Sequence, residues 1–204
     1  MQANKPNYYN ELDKIYSKIW DLLEKGLADR NTPFHIPTFI CGKNIDFDGR
    51  IVVLRGVSKK EKKIWFHSDI RSKKIKILKT NPLSSLLFYD KSEKIQLRIL
   101  CNSKINYQNE IAEKSWKKTA HMSRQCYLGE KSPGTISTIP TSGLSKNVDN
   151  LKYTKDESEI GYKNFCLVEN FINSIEWLYL AAKGHRRAFF NLNNNSLEKK
   201  WLIP

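Results

Sequence analysis

Long apolar runs, clustered cysteines and arginine are all scarce in this sequence. No stretch of its 204 residues approaches the eighteen or so uninterrupted apolar positions that a membrane-spanning helix needs. Met1–Tyr9 lacks the basic-then-apolar order of a secretory leader, so a cytoplasmic protein without a membrane role is expected. Cys41, Cys101, Cys126 and Cys166 stand at least 25 residues apart, in neither CxxC nor CxxH spacing, and no metal is expected. Three of them, Cys41, Cys101 and Cys166, sit in apolar strand-like runs and read as reduced, buried thiols. Only 9 Gly and 7 Pro accompany 40% hydrophobic and 11% aromatic residues, which excludes a disordered, collagenous or low-complexity chain. The length suits one domain spanning 1–204.

Positive charge is plentiful: 35 Lys+Arg against 21 Asp+Glu give +14, but only eight of the cations are arginine. A dedicated nucleic-acid surface favours clustered arginine forks, whereas these lysines are spread over the whole chain. A nucleic-acid partner is therefore not expected. A field of this sign does draw in small anions, phosphates included.

Apolar residues recur at helical spacing from Tyr8 through Leu12, Ile15, Ile19, Leu22, Leu23 and Leu27, predicting an N-terminal helix over about 7–28 that Asn31-Thr32-Pro33 ends. The period then changes to that of strands. His35–Lys43 reads as a strand, Asp46-Phe47-Asp48-Gly49 as a turn, and Arg50–Val57 as one β-branched strand. A polar tip at Ser58–Lys63 leads into Ile64–Ser68, followed by a short helix at Arg71–Lys79 closed by Asn81-Pro82. Strands at Ser84–Tyr89 and Ile95–Tyr107 precede a helix at Gln108–Thr119, whose inner face is Ile111, Ala112, Ser115 and Trp116. No period holds over about 121–150, and a structureless stretch of that length points to a functional loop. Phe165–Leu180, Arg186–Leu192 and Leu197–Ile203, separated by the hairpin-like Ala182-Lys183-Gly184 and Asn193-Asn194-Asn195, bring the strand candidates to eight, from which six or seven antiparallel strands are expected. The fold class predicted is mainly β with α: an antiparallel β-barrel with flanking helices.

Chemistry concentrates between Arg50 and Gln96. A strand bracketed by Arg50 and Arg55 calls for something anionic or polar alongside. Further on, His67-Ser68-Asp69-Ile70-Arg71-Ser72-Lys73-Lys74 places hydroxyls and ammonium groups where a strand passes into a helix, a set suited to a phosphate monoester. A solvated basic first turn accounts for the same residues equally well.

Arg50-Ile51-Val52-Val53-Leu54-Arg55 resembles the R-x-V-x-L-K strand of the pyridoxamine 5'-phosphate oxidases and their relatives with the FMN-binding split barrel. Phe66–Lys74 is similar to that family's F-[YFH]-[TS]-[ND]-x-x-S-[RK]-K segment, and Asn81-Pro82 with Leu86-Leu87-Phe88 to its NP-x-x-x-L-L-F segment. Gln96 falls at its strand glutamine, and the spacing from Phe66 to Gln96 matches without a gap. The tail adds Ile175-Glu176-Trp177, His185-Arg186-Arg187 and a Trp201–Pro204 ending. The resemblance covers most of the chain from about His35. It implies a split barrel with FMN at a homodimer interface: Arg50, Ile51, Val52, Val53, Leu54 and Arg55 along the isoalloxazine, and His67, Ser68, Lys73 and Lys74 at the ribityl chain and phosphate. Gln96 would hydrogen-bond the flavin, with Trp177 and Arg187 completing the site from the partner subunit. Aligning on Ile175-Glu176 instead moves the tryptophan position to Leu178.

The substrate side departs from the family. Arg55 replaces a lysine, Ser115–Arg124 does not reproduce the Y-x-x-x-R-x-x-x-S helix, and the Gln-Ser flavin pair has no clear counterpart. R-x-H-x-R becomes Lys183-Gly184-His185-Arg186-Arg187. The resemblance implies Arg55, Lys183 and His185 as substrate contacts, with His185 and Arg55 as catalytic groups. The activity implied is oxidation of pyridoxamine or pyridoxine 5'-phosphate, or a similar phosphorylated substrate, by O2. The alternatives are an NAD(P)H-linked flavin oxidoreductase of the same fold, or a non-catalytic protein that binds flavin or nucleic acid.

Overall fold

The computed structural model describes residues 5–182, 184–193 and 197–204. Helix α1 runs Leu12–Ala28, starting later than the apolar period because Tyr9 and Glu11 close turns on Pro6 and Tyr8. It buries Ile15, Ile19, Trp20, Leu22 and Leu23 on one face. Pro33–His35 makes a single 3-10 turn, capped by Thr32 Oγ1, which accepts from the Phe34 amide.

Nine strands follow among the described residues, more than the six or seven expected: β1 (Thr38–Lys43), β2 (Asp46–Ile51), β3 (Leu54–Ser58), β4 (Lys63–Asp69), β5 (Leu83–Asp90), β6 (Ile95–Asn106), β7 (Phe165–Tyr179), β8 (Arg186–Asn191) and β9 (Glu198–Leu202). Two expectations are corrected here. Asp46–Gly49 is strand rather than turn, paired with Lys43–Gly42–Cys41–Ile40. The reversal lies at Asn44-Ile45, where Asn44 takes φ 54. The expected strand Arg50–Val57 is two strands, because at Val52-Val53 the chain leaves one partner for another: β2 pairs with β1, and β3 with β4. The Val52 amide donates to the Pro37 carbonyl at the joint.

The strand order is β2-β1-β5-β6-β7-β4-β3, all neighbours antiparallel, with β8 added to β7 and β9 to β8. The two ends of that path, β2 and β3, are joined by only two residues, so the sheet must curl until its edges meet. That makes it a split β-barrel. Fifteen-residue β7 is its spine, pairing β6, β4 and β8. Phe34, Phe39, Phe66, Phe88, Trp177 and Phe190 fill the interior and α1 covers β3.

Helix α2 (Lys73–Thr80) packs on β1 and β6, and α3 (Glu110–Lys118) on β7. The aperiodic stretch contains the one-turn helices α4 (His121–Arg124) and α5 (Lys146–Asp149) and a 3-10 turn at Gln125–Tyr127, and is otherwise irregular. Arg124 fastens it. Its guanidinium, 1% exposed, lies 4.4 Å over the Trp116 ring, donates to Ser158 Oγ and the Trp116 carbonyl, and pairs with Glu159. Arg71 adds a second tether by gripping Asp69 while donating to the Gly129 and Glu130 carbonyls. Cys41, Cys101 and Cys166 are buried free thiols, and Cys126 is exposed.

Candidate functional site

Strand alternation sends Ser68 inward from β4 while its neighbour His67 points outward. Ser72, the first residue before α2, leaves its capping role unfilled and turns its hydroxyl to Ser68 Oγ, 3.3 Å away. Lys74 Nζ donates to the same Ser72 hydroxyl at 3.3 Å. Lys74 is 7% exposed and, among the described residues, has no carboxylate partner within salt-bridge reach. Burial first, and then Arg50 nearby, push its ammonium below the usual lysine range. A buried cation bonded to the Ser72 hydroxyl, which also meets Ser68 Oγ, beside a guanidinium at the start of a helix, is a donor set for an anion. Those donors fit the phosphate of a nucleotide cofactor such as FMN. Lys73 belongs only to the rim, exposed and paired to Asp46 at 2.6 Å.

Arg55 and His67 face a different space, a cleft of about 650 Å³ between β3, β4 and α3. His67 Nε2 lies 2.7 Å from Ser115 Oγ, and its ring packs edge-on against Phe165, centroids 4.8 Å apart. Burial, then the Arg55 charge, push the His67 pKa down to about 3. The imidazole is therefore neutral at physiological pH. Since the folded state takes up this proton less readily than the unfolded chain does, the contribution to stability is complete above pH 6.5 and is lost as pH falls toward 3. Unfolding by denaturant is expected to lose about 1 kcal/mol per pH unit from this group between pH 6 and 4. His67→Gln should flatten that limb, and an unchanged slope would refute the assignment.

The cleft also holds residues that the sequence reading missed. Lys114, Lys118, Ser115, Thr119 and Ser123 line it opposite Arg55. Lys114 and Lys118, four residues apart, share one face of α3, while Ser115 belongs to the face already read as inner and Thr119 and Ser123 follow the end of the helix. Together with Arg55 they make this wall cationic and hydroxyl-rich, suited to an anionic substrate group.

The remaining candidates are not brought to either place. Gln96 on β6 and Arg187 on β8 lie on the outer face of the sheet, both in register with Leu178. Arg98 and Arg187 there share Glu176. Trp177 is 0% exposed in the barrel interior, stacked on Tyr179, so on this chain the outward position is Leu178. Within the expected flavin strand, Val52 and Leu54 are buried, Val53 is half-buried and Ile51 is exposed. His185 is exposed on the turn before β8, and Lys183 lies outside the described residues.

Residues 19–106 match the family model described as "Pyridoxamine 5'-phosphate oxidase, FMN-binding domain". The pyridoxine/pyridoxamine 5'-phosphate oxidase 2 of Arabidopsis thaliana is 25% identical over 196 residues, 89% of this chain and 93% of that one. A pyridoxamine 5'-phosphate oxidase-related, FMN binding protein from Nostoc punctiforme superposes with a TM-score of 0.72 at 15% identity, covering 92% of this chain and 96% of its own. PhzG from Burkholderia lata, solved with tetrahydrophenazine-1-carboxylic acid, gives 0.71 at 13% identity, covering 100% and 99%. At those identities the two structures establish the fold alone.

Proposed function

Taking the chain as a divergent member of the pyridoxamine 5'-phosphate oxidase family, we propose that it is an FMN-dependent oxidoreductase acting on a phosphorylated amine or alcohol, pyridoxamine or pyridoxine 5'-phosphate or a close analogue, with O2 as electron acceptor. The observation that carries this reading is the buried Lys74 ammonium, bonded among the described residues only to the Ser72 hydroxyl and set beside Arg50. A lysine so placed without a carboxylate is costly to bury unless an anion joins it. When bound, the flavin supplies the electron-accepting ring.

The chain's own groups then bind and orient. Ser68, Ser72 and Lys74 hold the cofactor phosphate. Arg55, Lys114 and Lys118 hold the anionic end of the substrate, while His67 fixes the Ser115 hydroxyl without adding a further positive charge. Gln96 and Arg187 face away from the cradle of their own protomer, on a surface that also exposes Ile40, Ile51 and Leu100. A second copy seated on that apolar surface would bring them to the flavin, which makes the homodimer part of the proposal. His185, on the loop before β8, and Lys183 are the remaining substrate contacts proposed, with His185 and Arg55 nearest the chemistry. The departures on the substrate side favour a second reading, the same cofactor with a different substrate and an NAD(P)H donor.

The test begins with the absorption spectrum of the purified protein, where flavin bands are expected. Anaerobic addition of pyridoxamine 5'-phosphate should bleach them, and air should restore them. Bleaching only on NADPH would favour the second reading, and a colourless protein that FMN does not colour would end both.

A further inference from the structure

Strand β2 carries a feature that an anion cradle does not need. Its alternation places Asp46, Asp48 and Arg50 on one face, the face that meets the start of α2. Asp48 grips Arg50 with both oxygens, Nη2–Oδ2 2.5 Å and Nε–Oδ1 3.2 Å, and Asp46 holds Lys73 at 2.6 Å. We propose that Asp48, assisted by Asp46, is an internal counter-anion of the phosphate cradle, competing with the cofactor phosphate for Arg50 and so setting how tightly the cofactor is held. This rests on the reading of the cradle as a cofactor phosphate site.

Convergence on one spot is visible from a neighbouring group. Cys41 is the register partner of Asp48, and the charges acting on its buried thiol come from Asp48, Arg50, Lys74 and Asp46. Burial and then Asp48 push that thiol up to about 11. Three cations, Arg50, Lys73 and Lys74, thus face two carboxylates, leaving the cradle one positive charge against a phosphate monoester that carries nearly two negative ones. The Asp48 side chain is 10% exposed and that of Asp46 55%. Solvent screens the rim pair, so Asp46 has the smaller effect, whereas Asp48 repels an incoming phosphate at short range with little screening. Asp69, the other nearby carboxylate, is engaged by Arg71 and leaves the cradle to these two. Among the described residues β2 pairs only with β1, at one end of the strand order, so its face can yield without unpairing a second neighbour.

Asp48→Asn keeps the side-chain shape and a hydrogen-bond acceptor for Arg50 while removing the charge. Titrating FMN and riboflavin into the wild type, D48N and D46N by fluorescence quenching is expected to show FMN bound about tenfold more tightly by D48N, about twofold or less by D46N, and riboflavin unchanged throughout. FMN binding to D48N that is equal to or weaker than wild type would overturn the proposal and make Asp48 an orienting partner of Arg50. Inorganic phosphate titrated calorimetrically into the same proteins separates the two claims. If FMN binds none of them while D48N binds phosphate more tightly, the cofactor reading fails and the counter-anion role stands. Equal, weaker or absent phosphate binding across the set overturns the counter-anion role itself.

Discussion

Replacing Lys74 with methionine is expected to abolish cofactor retention while leaving the fold at least as stable as before. Lys74 is 7% exposed and its ammonium has, among the described residues, the Ser72 hydroxyl as its bonded partner, so without an anion its burial is a net cost. Methionine keeps the length of the stem and removes the charge, a near volume-conserving change. With phosphate present the balance reverses, because a charge-assisted hydrogen bond contributes about 1.5–3 kcal/mol, so losing it should weaken FMN binding by about 10- to 100-fold. The measurement is an FMN titration paired with thermal unfolding of the apoprotein. Unchanged FMN affinity in K74M would remove the cradle from the site. A lower melting temperature in the variant would mean that Lys74 contributes to the fold through something other than an anion. Lys73→Met, by contrast, should lose only a screened surface pair with Asp46, both side chains being about half exposed.

Arg124→Ala is expected to lower stability by about 3 kcal/mol and to open the segment around 121–164 to protease. The variant leaves the Trp116 carbonyl and Ser158 hydroxyl without their donor, strips a cation from the Trp116 ring, and opens a void in the small cluster formed by Ala112, Trp116, Tyr127 and Phe165. Glu159 suffers less, since it is exposed and keeps the Trp116 indole N–H as a donor at 2.7 Å. Phe165 of that cluster is the residue against which His67 packs, so loosening it should also disturb the Arg55 cleft. Limited proteolysis and the urea midpoint provide the check. A loss below 1 kcal/mol with unchanged cleavage would show that the loop is held elsewhere.

What the sequence made legible follows from which elements have a clean period. α1, β5 and β6 could be read because each buries one face and repeats with its own period, and β7 because its apolar run suits a strand that α3 also covers. β2 could not, because Asp46-Phe47-Asp48-Gly49 is turn chemistry by composition, and its strand state comes from pairing with β1, a tertiary cause. The joint at Val52-Val53 was hidden by its own β-branched residues, which suit a strand so well that nothing marked the change of partner. The cradle was legible as hydroxyls and lysines at a strand-to-helix passage, although sequence could not tell that Lys74 is buried and Lys73 is not. Trp177 illustrates parity. Glu176 must face outward, so its neighbour Trp177 faces inward, and that reasoning favours Leu178 as the outward position. The cationic wall of α3 stayed unseen because Lys114 and Lys118 become a site only when Arg55, 59 residues earlier, is folded opposite them.

The pairing of β4 with β7 joins residues that lie 96 to 108 positions apart, from Asp69↔Phe165 to Lys63↔Phe171. During synthesis, β4 therefore leaves the ribosome roughly a hundred residues ahead of the strand that completes it, a delay of about 5–20 s at ordinary elongation rates. Throughout that interval the edge of β4 that will meet β7, with Ile64-Trp65-Phe66 at its centre, has no partner, and refolding from denaturant is expected to be slow.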